Sequence, residues 1–133
     1  MSKKEAEDII GSSLLEDSRR TPAPDGIEFY ISDVEYLLNG MSTNASFEFH
    51  NDKLWIVQFY YNIDENPQEW FKSVIEELTA LYGMETDKFT NTNGGTTNVG
   101  YKWDSNNTSF QIVSMMNQAA HMQVIISIGL CEV

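Results

Sequence analysis

The stretch FEFHNDKLWIVQFYYNIDENPQEWFKSVIEELTALYG, from Phe47 to Gly83, decides what the rest of the chain must accommodate. Apolar and polar residues alternate in FEFH, and a long apolar run begins after the Asn51-Asp52 pair. Alternation of this kind is typical of strands, and a tight polar pair between two such runs is typical of a two-residue turn. The first half of the stretch therefore predicts a β-hairpin.

The second half of the stretch predicts an amphipathic helix that begins at Pro67. Asn66 is the expected N-cap, and Glu69 stands where a capping box requires an acidic side chain. Gly83 supplies the left-handed residue that ends a helix. The apolar residues recur at helical spacing and predict one buried stripe, which contains Phe71, Val74, Ile75, Leu78, Leu81 and Tyr82. A helix with one apolar stripe, laid on a sheet, closes a core.

The composition predicts one domain covering residues 1–133, long enough to fold without crosslinks. The chain has 20 acidic and 8 basic residues and a formal charge of -12, which disfavours nucleic-acid binding and favours a basic protein partner. A well-solvated surface explains the same charge. No apolar run reaches the roughly 20 residues of a membrane-spanning helix. Cys131 is the only cysteine, so no disulfide forms within the chain.

The remainder of the chain repeats the pattern of helix, polar segment and strands. A first helix is predicted over Lys3–Ile10, and two segments rich in Pro, Gly, Asn and Thr, residues 12–26 and 87–98, are predicted to be mobile loops. Three strands follow each loop, joined by short turns. Residues 1–65 and 66–133 therefore form a weak internal repeat.

These elements predict an α+β fold in the order α-βββ-α-βββ. Short connections favour antiparallel neighbours, so we expect a curved antiparallel sheet of about six strands with two helices on one face.

No cluster of residues in the sequence points to catalysis. His50 and His121 are the only histidines, and neither has an acidic or cysteine neighbour at the spacing of a metal site. Motifs for nucleophilic catalysis, phosphate binding and dinucleotide binding are absent from the sequence. We therefore expect no catalytic residues, no metal site and no cofactor, in a protein that is not an enzyme.

Aromatic side chains are the most informative feature for function. Strands place successive side chains on opposite faces, so not every aromatic residue in the strands can lie in the core. We expect Trp55, Tyr61, Tyr101 and Trp103 to line an open concave face that binds a protein. A second helix or a loop lying over that face is the alternative.

The segments KKEAEDIIG, FEFHNDKLWIVQFYY and WFKSVIEELTALYG resemble small bacterial envelope domains of the SmpA/BamE lipoprotein and β-lactamase-inhibitor-protein group. The resemblance covers about two-thirds of the chain, in pattern more than in identity. It implies a helix-and-antiparallel-sheet fold, a location in the periplasm, cell envelope or outside the cell, and protein binding without catalysis. The start of the sequence shows no lipoprotein cysteine or export signal, and a cytoplasmic location applies if no such signal has been removed. No binding residue is carried over from the group.

Three functions follow from these observations. The first is a non-catalytic protein-interaction domain, associated with the bacterial envelope or secreted. The alternative is a cytoplasmic acidic inhibitor or immunity-type protein that blocks a basic partner through charge complementarity. A small-ligand carrier or enzyme with a pocket between helix and sheet is the third. The sequence does not indicate the oligomeric state.

Overall fold

The computed structural model describes residues 1–130, and Cys131 lies outside them. The chain forms two α-helices and one eight-stranded sheet. In chain order the elements are α1 (Lys3–Ile10), β1 (Leu14–Glu16), a 3-10 turn (Ser18–Arg20), β2 (Ile27–Leu38), β3 (Met41–His50), β4 (Lys53–Ile63), α2 (Pro67–Tyr82), β5 (Asp87–Asn93), β6 (Thr96–Ser105), β7 (Thr108–Met116) and β8 (Met122–Leu130).

The predicted fold class was wrong, because the sheet has eight strands and not about six. Each helix is followed by four strands and not by three. The two additional strands, β1 and β5, lie inside residues 12–26 and 87–98, which the sequence predicted to be irregular.

Particular contacts hold these two polar segments in the sheet. In β1, Leu14 is buried at 4% exposure although its two neighbours are exposed. In β5 every residue is exposed, and the Phe89 ring lies so close to Gly100 that a Cβ atom there would stand 2.1 Å from it. Asn98 also donates a hydrogen bond from Nδ2 to Asn91 Oδ1 at 2.8 Å. Cross-strand contacts of this kind do not register in local composition, which explains the missed strands.

The strand order across the sheet is β1-β2-β3-β4-β8-β7-β6-β5, with every neighbouring pair antiparallel. The last strands of the two halves, β4 and β8, therefore meet at the centre. Residues 56–63 of β4 pair with residues 122–129 of β8.

The two short turns predicted in the first half are confirmed. Asn51 and Asp52 both have positive φ, at 51° and 60°, and Asn39 and Gly40 do as well, at 46° and 83°. Two successive residues of positive φ form the turn whose twist matches that of an antiparallel hairpin. These polar pairs fix the β2–β3 and β3–β4 hairpins.

The first helix is held by the caps at both of its ends. Ser2 Oγ accepts a hydrogen bond from the Glu5 amide, and Glu5 Oε1 accepts one from the Ser2 amide, which together form a capping box. Gly11 closes the helix in the left-handed conformation. Ala6 is the buried residue of α1.

The second helix begins at Pro67 and ends before Gly83, as predicted, but its start is not capped as predicted. Asn66 has a left-handed backbone, φ 46° and ψ 53°, and its side chain forms no cap hydrogen bond. Leu78 is buried at 9% exposure, which confirms its place in the core. Leu81 and Tyr82 were expected in the same buried stripe, but they are 74% and 59% exposed.

The core lies on one face of the sheet, beneath both helices. Strand residues of one parity face α1 and α2, and they form two clusters with the buried helix residues. The α1 cluster contains Ala6, Leu14, Ala45, Phe47, Phe49 and Leu54. The α2 cluster contains Tyr61, Ile63, Trp70, Phe71, Val74, Leu78, Trp103, Ile112, Met122, Val124 and Ile126. The opposite face, here called the open face, carries neither helix.

A β-bulge between Ile31 and Glu35 interrupts the pairing of β2 with β3. Ser32 is buried at 2% exposure there; its Oγ donates to Val34 O at 2.7 Å and accepts from the Ala45 amide at 2.8 Å. The side chain thus replaces the backbone partners that the shift in register removes.

Candidate protein-binding face

The four aromatic residues that the sequence predicted to share an open face do not share one. Trp55 is 52% exposed, whereas Tyr61 and Trp103 are 3% and 7% exposed and belong to the α2 cluster. Tyr101 is half-buried and packs against that same cluster. Only Trp55 therefore remains available as a large aromatic contact from the predicted set.

Each of the three other aromatic residues is held by contacts beneath α2. The Tyr61 ring lies 5.8 Å from the Trp70 ring, its hydroxyl donates to Tyr36 O at 3.4 Å, and burial raises its pKa. Trp103 Nε1 donates to Gly83 O at 3.0 Å. Tyr101 packs between Phe71 and Trp103, at ring distances of 6.0 and 6.3 Å. These residues stabilise the fold.

Trp55 reaches the open face because β3 and β4 shift register beside it. Glu48 pairs with Ile56, but Phe49 pairs with Leu54, so Trp55 is the extra residue of a bulge. Its ring stacks on His50 with centroids 4.8 Å apart and an angle of 21° between planes.

A chain of contacts holds Trp55 at this corner of the sheet. His50 Nε2 lies 2.6 Å from Glu48 Oε2, and Arg20 Nη2 lies 3.7 Å from Glu48 Oε1. The Arg20 guanidinium in turn lies 3.6 Å from the centre of the Phe29 ring. An aromatic side chain ordered in this way loses little conformational entropy on binding.

An apolar row crosses the open face from the centre of the sheet to its β5 edge. Tyr60 pairs with Ile125, Ile125 with Val113, Val113 with Gly100, and Gly100 with Phe89, so five adjacent strands contribute one residue each. Strands lie about 4.8 Å apart, so the row spans roughly 19 Å. Apart from Gly100, which Phe89 covers, these residues are half-buried or exposed. We call these five residues the apolar row.

Uncharged polar side chains border the apolar row on one side over β4, β8 and β7, and the same line ends in Lys102 and Asp87 on β6 and β5. Gln58, Ser127 and Gln111 follow one another across adjacent strands, and Gln58 Nε2 donates to Ser127 Oγ at 3.2 Å. The Tyr60 hydroxyl donates to Gln58 Oε1 at 2.8 Å. The chain has a net charge of -12. The centre of the open face nevertheless carries no acidic residue.

A depression of about 550 Å³ lies beside the row, where the 3-10 turn meets the open face. Its lining includes Ile31, Asn44, Tyr60 and the pair Asp17 and Arg19. Asp17 accepts hydrogen bonds from the Arg19 backbone amide and from Nε, both at 3.1 Å. The side-chain hydrogen bond from Arg19 is the largest of the influences that lower the pKa of the Asp17 carboxyl.

Both histidines contact a carboxylate, but neither contact forms a larger reactive cluster. His121 Nδ1 lies 2.9 Å from Asp64 Oδ1 at an exposed turn, and His50 is paired with Glu48 as described. Among residues 1–130, no three His, Cys, Asp or Glu side chains converge as a metal site would require.

The sequence did not predict that Tyr60, Ile125, Val113 and Phe89 form one surface. One residue did indicate such a surface. Ile125 breaks the apolar–polar alternation of the last strand, which predicts that both faces of the sheet are partly covered there. Joining these residues into a row requires the strand order, because β4 and β8 become neighbours only in the folded sheet.

In the part of the chain that the structure describes, neither helix has the length and hydropathy needed to cross a membrane. Comparison of the chain with protein-family models, curated proteins and solved structures gives no significant match. The resemblance to the SmpA/BamE and β-lactamase-inhibitor-protein group, with the location that it implies, therefore stays a prediction.

Proposed function

We propose that this protein is a non-catalytic interaction domain that binds a folded protein partner on its open sheet face. The observation that carries the proposal is the apolar row, which crosses five strands without a charged residue. The partner would present a complementary apolar strip with uncharged polar groups along its border.

The composition of the open face supports this function. The centres of protein interfaces are depleted of charged residues and enriched in aromatic and large aliphatic side chains. Here acidic side chains are numerous on the molecule, yet Tyr60, Ile125 and Val113 are bordered by glutamine and serine. If the open face served only to keep the protein soluble, we would expect acidic residues at its centre as on the rest of the surface.

Trp55 supplies the second part of the proposal. It is the only tryptophan of the three that is exposed, and the contacts of His50, Glu48 and Arg20 fix its position. Ordered aromatic residues surrounded by polar contacts are frequent binding hot spots. We therefore expect Trp55→Ala to weaken binding by on the order of 2 kcal/mol, mainly through faster dissociation.

The experiment combines capture with two matched variants. The immobilised protein is exposed to bacterial lysate and to periplasmic extract, and bound proteins are identified by mass spectrometry at low salt and at about 0.5 M NaCl, where exposed charges are strongly screened. We expect a partner that survives high salt and is lost with Ile125→Glu. Ala80→Glu adds the same charge at an exposed position of α2, on the opposite side of the sheet, and should retain that partner.

The acidic-inhibitor alternative gives the opposite result. A basic partner attracted by the net charge would be released by salt alone and would remain bound to the Ile125→Glu protein. That outcome would remove the open face from consideration. With a purified partner, acrylamide quenching of Trp55 should fall on binding if the corner lies inside the interface.

A further inference from the structure

Both helices carry an exposed apolar residue on the side that faces the sheet. Leu81 follows Val74 by seven positions and so lies on nearly the same side of α2, yet Val74 is 1% exposed and Leu81 is 74% exposed. Ile9 follows Ala6 by three positions in α1, and the exposures are 69% and 2%. On each helix, the apolar side is therefore covered by the rest of the protein at one position and exposed to solvent at the next turn.

An apolar floor lies between the helices: Ile9 lines it on the α1 side, and Leu81 directly precedes Tyr82, which lines it on the α2 side. On the α1 side, Ile9, Val57 and Phe59 line a depression of about 240 Å³. On the α2 side, Tyr82, Met84 and Ile128 line another, of about 370 Å³. Val57 and Ile128 are directly paired across β4 and β8, so the floors of the two depressions are continuous. We call this surface the interhelical patch.

The interhelical patch is bordered by acidic residues. Glu5 precedes Ile9 by four positions, and Glu77 precedes Leu81 by four, so each acidic residue lies one turn from an exposed apolar one. The helices together contain six acidic and three basic residues.

Two of the three helix lysines point away from the gap. Lys3 Nζ lies 4.6 Å from the centre of the Tyr30 ring on β2, and Lys72 lines a separate depression beside β6. These two lysines therefore do not neutralise Glu5 and Glu77, and Lys4 is the one other basic residue in the two helices.

We propose that the interhelical patch is a second docking site, which binds an amphipathic helical segment of a partner protein with apolar residues on one side and Lys or Arg along its flanks. The apolar side would cover Leu81, Ile9 and the Val57–Ile128 floor. The basic flanks would meet Glu5 and Glu77. This site is on the opposite side of the sheet from the open face, so each can be occupied without the other.

The length of α2 sets the length of the segment that we propose. Helix α2 has 16 residues, which at about 1.5 Å per residue extends roughly 24 Å. A partner helix of about four turns would match this length. Grooves of this kind are read by residues spaced three and four apart on one helix side.

The test uses a synthetic amphipathic peptide of about four turns, with leucines on one side, lysines on the other and a fluorescein label. Fluorescence anisotropy gives its Kd for the full-length protein. We expect Leu81→Ser combined with Met84→Ser to weaken binding by on the order of tenfold, because both apolar side chains are removed from the contact. Leu37→Ser is the matched control, since Leu37 is also 74% exposed but lies in the β2–β3 hairpin.

Charge is tested with peptides and variants that differ in little else. A peptide with glutamate in place of lysine should not bind, and a peptide with serine in place of leucine should bind weakly. Glu77→Gln should weaken binding of the lysine peptide more than Glu35→Gln, a change of an exposed carboxylate on β2. Circular dichroism should show helix formation by the lysine peptide on binding.

Two outcomes would overturn the proposal. Equal affinity of the Leu81→Ser/Met84→Ser and Leu37→Ser proteins would show that the peptide binds through net charge alone. If sedimentation instead shows a dimer that the Leu81→Ser/Met84→Ser change dissociates, a second copy of this chain covers the patch. Ile125→Glu should leave peptide binding unchanged, which separates this site from the open face.

Discussion

A single hydroxyl group restores the hydrogen bonds that the bulge in β2 would otherwise leave open. Ser32 Oγ links Val34 O to the Ala45 amide, and Asn44 Nδ2 donates to both Ser32 O and Val34 O, at 2.9 and 3.2 Å. Ala45 is fully buried, so water cannot substitute for the hydroxyl. The bulge is therefore specified by two polar side chains as well as by the backbone.

Ser32→Ala should lower the free energy of unfolding by about 1–3 kcal/mol, because it leaves the buried Ala45 amide without an acceptor, whereas Val34 O keeps the hydrogen bond from Asn44 Nδ2. Urea denaturation followed by tryptophan fluorescence measures the loss. Ser42→Ala, at an exposed position of β3, is the control and should change stability by less than about 0.5 kcal/mol. Equal midpoints for the two variants would show that the Ser32 hydroxyl is dispensable.

Two features of individual residues prevented prediction of the aromatic surface from the sequence. In the run from Leu54 to Tyr61 nearly every residue is apolar, so alternation does not reveal which residues face the helices. The bulge at Trp55 then changes which face of the sheet the residues on either side of it point to. Trp55 and Tyr61 are six residues apart, and without the bulge they would share a face.

At the scale of elements, helix α2 shows that a periodic stripe does not determine burial. Leu78 and Leu81 belong to the same predicted stripe, and they differ only in whether the sheet and its loops cover them. The first is 9% exposed and the second 74%. Periodicity reports the side of the helix, whereas burial depends on how far the covering elements extend.

Leu78→Ala should cost about 2–5 kcal/mol, as expected for a leucine in a packed core. Leu81→Ala makes the same chemical change in the same helix and should cost less than about 1 kcal/mol, because the side chain is already in water. Urea midpoints of the two variants provide the comparison. A large loss with Leu81→Ala would mean that Leu81 is covered in solution.

The start of α2 gives a second test at this scale. The Asn66 backbone is left-handed and its side chain makes no cap hydrogen bond. Asn66 therefore contributes to stability because asparagine tolerates a positive φ. Asn66→Gly should retain stability, and Asn66→Ser should lose about 1 kcal/mol although serine is a good N-cap. Thermal unfolding of both variants measures the difference. Full stability of the serine protein would favour the side-chain cap that the sequence predicted.

The elements that the sequence predicted correctly are those with strong local signals. Asn51-Asp52, Asn39-Gly40, Gly11 and Gly83 marked turns and helix ends that the structure contains. Strand β5 has no such signal, because its Asn and Thr residues are held only by the neighbouring strand. The apolar row and the interhelical patch both depend on contacts between distant parts of the chain, and no local pattern contains that information.

At the scale of the whole molecule, the distribution of charge separates two kinds of surface. The open face is uncharged at its centre, whereas the helices on the other side have three more acidic than basic residues. A partner that meets the open face would be held by apolar contact, and one that meets the helices would be steered by charge. The sheet thus divides the protein into surfaces with different dependence on salt.

The net charge of -12 should also make stability depend on salt. Raising NaCl from about 0.01 to 0.15 M shortens the screening length from roughly 30 to 8 Å and weakens repulsion among the carboxylates of the compact state. We expect the urea midpoint to rise over this range. KCl at equal ionic strength should reproduce the effect, and a midpoint that falls with both salts would indicate that attractive ion pairs outweigh the repulsion.

The meeting of β4 and β8 at the centre of the sheet has a consequence for the kinetics of folding. Every other neighbouring pair of strands joins segments close in sequence, whereas this pair joins residues 56–63 to residues 122–129. Hairpins form within microseconds, and pairing of distant segments is slower because loop closure must be completed first. We expect each half to assemble its own strands early and the central pairing to limit the rate. Until it closes, both β4 and β8 are exposed edges, and the nascent chain is open to pairing with another copy of itself.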